Sequence, residues 1–116
     1  MGNLLWGSDG AFWVDFDDML VGPAVQDLWL LLPGRVADYQ QEFDSLINGY
    51  QQFRDFPYES IKLIEALRAF RMVHFSVWIH KRFEDESFKK AFVEFGSSRY
   101  WYDQLESLKD QLRQVA

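Results

Sequence analysis

The chain has 116 residues, the length of one domain, and 48% of them are hydrophobic, enough to build a core. A formal net charge of −6 excludes nonspecific binding to nucleic acid, whose phosphates would repel it, and the absence of Cys excludes disulfides and thiolate metal sites. No stretch approaches the roughly 20 apolar residues of a membrane span, and the N-terminus has no basic leader region, so a soluble cytoplasmic protein is expected. Aromatics make up 18% of the chain, with five Trp and eleven Phe, so some aromatic surface is expected at an interface.

In chain order, Leu4 to Trp6 and Ala11 to Phe16 read as two strands. Gly7-Ser8-Asp9-Gly10 is the turn, with Ser8 to Gly10 as a three-residue loop and Gly10 left-handed. That register sets Trp6 opposite Phe12 and Asn3 opposite Asp15, with facing Cβ atoms about 5 Å apart. An amide and a carboxylate then share the open end of a hairpin. A lone two-stranded hairpin is unstable in water, so it must pack on something.

The remainder reads as about five helices. Pro23 starts the first, which runs to about Leu32 and stops at Pro33-Gly34. A second covers about Val36 to Arg54, with Tyr39, Phe43, Leu46, Ile47, Tyr50 and Phe53 at three- and four-residue spacing. A third runs from about Glu59 to Phe83 and a short fourth from about Glu86 to Phe95. The last begins after a Ser97 or Ser98 cap and carries Trp101, Leu105, Leu108, Leu112 and Val115 on one side. The expected class is mostly α with one N-terminal β-hairpin, a single partial domain over 1–116 in which 1–22 is a hairpin and loop and 23–116 is helical.

Asp15 and Asp17 would share a face if the strand continued, and two carboxylates so close need a cation, a donor or a proton. Asn and Asp oxygens are hard ligands that suit magnesium together with a phosphate. A polar turn at a strand end is the plain alternative. An EF-hand loop fails because Met19 and Val21 fall where oxygens are required, and a phosphatase-like Asp-x-Asp needs a parallel sheet that the helical remainder cannot supply. His74 and His80 lie six apart on different sides of a helix and cannot share one zinc, so each reads as structural. Arg68 and Arg71 share a helix face and read as solvated or paired with acids such as Glu65. Asp27 sits within an otherwise apolar helix, where its neighbours imply burial and hence a need for hydrogen-bonding partners.

Three motifs in order carry a family resemblance: Gly2-Asn3-Leu4-Leu5-Trp6, Val14-Asp15-Phe16-Asp17-Asp18 and Gly22-Pro23-Ala24-Val25-Gln26-Asp27-Leu28-Trp29. Together they resemble the aminoglycoside phosphotransferase/choline kinase-like superfamily, and within it the bacterial stress response kinase A group of cytoplasmic Ser/Thr protein kinases. The resemblance extends along the chain, through Leu63 to Arg71 and the aromatic last helix. It implies a protein kinase-like C-lobe fragment. It implies that Asn3 ends the catalytic loop and holds magnesium, and that Asp15 bridges magnesium to the phosphates of ATP. Asp17, in place of a Gly, is a candidate further metal contact or a support behind the ligands, and Asp18 has no assignment. Asp27 would anchor the catalytic loop through its backbone.

The same resemblance marks what is missing. The family loop reads His-Gly-Asp-x-His-x-x-Asn, and its Asp is the base. Met1 and Gly2 fall on the two x positions before the Asn, and counting back five from Asn3 leaves the chain. The catalytic base is therefore expected upstream of Met1, with no catalytic residue in the chain itself, and no G-x-G-x-x-G occurs. The expected parent reaction is transfer of the ATP γ-phosphoryl group to a Ser/Thr hydroxyl of a protein, with a chain that is inactive alone and binds ATP and Mg2+ weakly. The alternative is a non-enzymatic helical interaction module, self-associating through its aromatic surface or docking on a separate N-terminal half. A reading frame that starts late is a third.

Overall fold

A computed structural model describes residues 3–116; Met1 and Gly2 lie outside the described residues. The order of elements is β1 (Leu4–Gly7), β2 (Gly10–Trp13), α1 (Val25–Trp29), α2 (Gln40–Gln51), α3 (Ile64–Arg82), α4 (Glu86–Ala91) and α5 (Ser98–Val115), with 3-10 turns at Val36–Asp38 and Tyr58–Leu63. Among the described residues the class is mostly α, with one antiparallel hairpin and five helices. Where the sequence suggests one partial domain with a subdivision near residue 22, the described residues gather into two compact units. One ends at Ile61 and the other runs Lys62–Ala116. Among the described residues no helix is long and apolar enough to cross a membrane.

In the first unit the hairpin register differs by one from that expected. Leu5 pairs with Phe12, Trp6 with Ala11 and Gly7 with Gly10, leaving a two-residue loop, Ser8-Asp9. Among the described non-glycine residues only Asp15 has a positive φ, so Ser8 and Asp9 do not form a mirror-image turn; Gly10, at φ 117°, absorbs the reversal instead. The ladder continues to Asn3, whose carbonyl accepts from the Val14 N–H at 3.0 Å. Most of the hairpin is exposed, Trp6 by 79%.

The first three helices are shorter than periodicity predicts. Residues 23–32 all turn, but the flanks of α1 close i to i−3 bonds, Gln26 N–H to Pro23 O and Leu32 N–H to Trp29 O, so only the centre is α-helical. The helix expected from Val36 starts at Gln40, because Tyr39 at φ −133°, ψ 43° interrupts it. Gly34 lets the Tyr39 ring lie close, since a Cβ there would meet the ring at 2.7 Å. The helix expected from Glu59 begins with a 3-10 segment and becomes α-helical at Ile64. The core of this unit is Val25, Leu28, Trp29, Phe43, Ile47 and Phe56. Phe56 also meets Tyr50 and Tyr58 edge-on, with centroids 5.8 and 5.2 Å away.

The second unit pairs α3 with α5. The Ser97 hydroxyl accepts from Tyr100 N–H at 3.1 Å and caps α5, one of the two serines expected to do so. Helix α4 ends at Ala91 rather than Phe95, and the chain then turns to Gly96, at φ 82°. Aromatic rings fill the space beside α3. Trp78 meets Phe75 and Phe88, while Phe95 meets Phe83, Tyr100 and Trp101.

The seam between α3 and α5 is polar. Tyr100, Gln104, Leu108 and Gln111, spaced four, four and three apart, form the side of α5 toward α3. Tyr100 Oη lies 2.8 Å from Ser76 Oγ. Gln104 donates to Ser76 Oγ and to the Met72 carbonyl, each at 3.1 Å. Gln111, only 2% exposed, donates to the Glu65 carbonyl at 2.9 Å and to its carboxylate at 2.8 Å.

Candidate metal site

Asn3 and Asp15 meet at the open end of the hairpin. The Asn3 Nδ2 group donates to Asp15 Oδ2 at 3.3 Å. Their meeting does not come from the expected cross-strand register, in which they would face each other. In the observed register Asn3 faces Val14. Strand β2 ends at Trp13, and Asp15 takes a left-handed backbone, φ 65°. That conformation ends the up-and-down alternation of the strand and swings the carboxylate back to the Asn3 side chain. Asp tolerates left-handed backbone better than most residues but still at a cost, and such conformations are concentrated at functional sites.

Asp17 and Asp18 lie elsewhere. They are the two central residues of a turn closed by the Met19 N–H on the Phe16 carbonyl at 3.1 Å. The strand does not continue past Asp15, so the expectation that Asp15 and Asp17 share a strand face fails. Both Asp17 and Asp18 are exposed. Met1 and Gly2, which precede Asn3, lie outside the described residues, and the expectation of a catalytic base upstream of Met1 lies outside them too.

Asp27 is also exposed, which corrects the burial its apolar neighbours imply. Helix α1 is five residues long and buries Val25, Leu28 and Trp29. Asp27 is two residues after Val25 and one before Leu28, which turns it about 100° or more around the helix from both. A short amphipathic turn needs only one buried side, and Asp27 occupies the other.

The remaining candidates follow their plain readings. His74 stacks on Phe70, with centroids 5.7 Å apart, and His80 is exposed. Arg68 Nε lies 3.5 Å from a Glu65 carboxylate oxygen, the pairing expected. Asp85 caps α4, and the hydroxyl and backbone N–H of Ser87 both donate to it, which holds its carboxyl below the ordinary Asp value. Among the described residues no group of three or more His, Cys, Asp or Glu is placed to hold a metal ion.

What the pair can do is therefore limited and specific. It offers one carboxylate and one amide, hard oxygen donors suited to a magnesium ion that keeps water or phosphate at its other positions. As placed, the Asn3 amide nitrogen faces Asp15. Binding a cation between them requires the amide to rotate and present Oδ1, a change available to an exposed side chain.

The site is thus an Asn/Asp pair at the open end of an N-terminal hairpin that helices follow. No protein-family model matches the chain. It is similar to curated proteins named as kinases. It is 40% identical to stress response kinase A of Escherichia coli (strain K12), over 97% of this chain and 34% of that protein. The same-named protein of Salmonella paratyphi A is 38% identical over the same shares. Serine/threonine protein kinase RdoA of Salmonella typhimurium is also 38% identical. The chain is thus similar along nearly its whole length to proteins of these names and spans about a third of the length of the relatives it matches. The resemblance read from the sequence holds over nearly its whole length.

Proposed function

We propose that the chain is the C-terminal part of an ATP-dependent Ser/Thr protein kinase-like phosphotransferase, with Asn3 and Asp15 as its magnesium ligands. The observation that carries this reading is the Asn3–Asp15 contact, held by a left-handed Asp15 at a strand end. The names of the relatives support the class of reaction. A bound magnesium ion would neutralise charge on the transferring phosphoryl group. The residues of this chain supply position: Asp15 and Asn3 orient ligand oxygens, and the hairpin ladder fixes their separation. Asp27, exposed on α1, is available to accept backbone N–H groups of a catalytic loop lying upstream. Asp17 is a less favoured metal contact, since its turn sets it two residues beyond the pair.

The acceptor is a Ser/Thr hydroxyl of a protein, and the compartment is the cytoplasm. No residue here serves as the base. Phosphoryl transfer depends on positioning and charge stabilisation together, and two ligands without a nucleotide cradle should not suffice. The purified chain is therefore expected to show no magnesium-dependent ATP turnover and only weak binding of ATP and Mg2+. Turnover that disappears in Asp15→Ala would sink the claim of inactivity while supporting the ligand assignment. Turnover that survives Asp15→Ala would sink both.

A second reading, a helical interaction module, is favoured by a different observation. Large apolar side chains stand exposed on the hairpin, on α3 and on α5.

A further inference from the structure

We infer that the α3–α5 layer is a self-association surface whose occupant is the same layer of a second copy, forming a four-helix bundle. The inference rests on the interaction-module reading and is independent of the magnesium pair. Helix α5 carries Trp101, Leu105, Leu108, Leu112 and Val115, spaced four, three, four and three apart. That is the 3.5-residue repeat by which one helix seats against another. All but Leu108 are exposed, Leu112 by 68%. Helix α3 adds Phe70, Val73 and Val77, spaced three and four apart, with Phe70 exposed by 68%. Between the two helices runs a groove of about 410 Å³ with Val73 and Val77 on one wall, Trp101 and Leu108 on the other, and Ser76 and Gln104 lining it.

Three considerations select the occupant. Of the polar side chains lining the groove, Ser76 and Gln104 bond within the layer, Gln104 also to the Met72 carbonyl, which leaves His80 beside four apolar residues, so the face offers mainly apolar contact. The exposed parts of these side chains amount to roughly 600 Å² per copy, hence about 1,200 Å² in a symmetric pair, the lower edge of the range for specific interfaces. An isologous pair needs a face that is its own complement, and a helix with this repeat beside an apolar groove is one.

Charge then decides between this face and the exposed hairpin. The unit ending at Ile61 has ten acidic residues against two basic ones, Arg35 and Arg54, so two such units repel. The unit Lys62–Ala116 has eight acidic and ten basic residues. Charges flanking the α5 stripe are paired along the helix, Lys109 with Glu106 at 2.8 Å and Arg113 with Asp110 at 3.8 Å.

Sedimentation equilibrium of the full chain tests this. A dimer is expected at concentrations on the order of 100 µM, dissociating on dilution by mass action. Leu105→Glu, on an exposed helical position, should weaken association at least tenfold with unchanged helical circular dichroism. Leu112→Ser supplies the same test if the Glu variant loses helix. Trp6→Glu on the hairpin should leave the dimer intact. A monomer at the highest concentration, association unaffected by either α5 variant, or loss of the dimer in Trp6→Glu would each overturn the proposal. None of these outcomes involves nucleotide or metal, so failure here leaves the magnesium pair standing, and failure of the ATP test leaves this surface standing.

Discussion

The two units of this chain bury different mixtures of side chains. The first hides apolar side chains from two short helices, with Phe43 1% exposed, and leaves its carboxylates in water. The second buries Ile64 and Ile79 of α3 but also hides amides and hydroxyls between two long helices, and leaves a regular apolar stripe outside. The difference teaches that apolar periodicity marks a helix without saying which side faces inward. In the first unit the core follows the periodic residues Phe43 and Ile47. In the second, the residue of α5 buried most deeply is Gln111.

Three measurements bear on that contrast. The largest effect is expected from Phe43→Ala, which opens a cavity in the apolar core and should cost about 3–5 kcal/mol. Hydrogen exchange in α1 and α2 reads it, and a loss under about 1 kcal/mol would mean that this core is not the tight one described. Next is Gln111→Leu, which keeps bulk but removes both donors to Glu65. A loss of about 1–3 kcal/mol is expected, because the Glu65 carbonyl is left without that partner. Unfolding in denaturant checks it. A neutral or stabilising result would show that α5 seats on α3 by apolar packing after all.

The smallest effect is a pH dependence at α4. The folded carboxyl of Asp85 is held below its ordinary value of 3.8 by the Ser87 hydroxyl and N–H. A depressed folded value means that the unfolded chain binds the proton more readily. The capping contribution is therefore complete above the ordinary value and is lost as pH falls through the lower folded one. Exchange at the α4 amides should quicken relative to α5 over that acid window, and the difference should vanish in Asp85→Ala.

Much of the architecture is legible in the sequence for local reasons. The hairpin follows from the Gly-bounded turn and two short apolar runs, and the five helices from three- and four-residue repeats with Pro, Gly and Ser at their ends. The sequence also makes Asn3 and Asp15 neighbours, but by the wrong register. The contact comes from the backbone of Asp15, which pairing rules for a regular strand do not treat.

What the sequence determined by itself was therefore the set of elements, their order, and the two oxygen donors of the candidate site. Those depend on the propensities of adjacent residues and on periodicity, which are carried by the chain one turn at a time. Tertiary structure alone decided that Asp27 faces water, that Gln111 is buried, and that the α5 stripe is left outside. Burial is a property of what packs against a side chain, and for these residues the partner lies up to 46 positions away. Tyr100, Gln104 and Gln111 meet α3 through hydrogen bonds, and no pattern within α5 itself announces them.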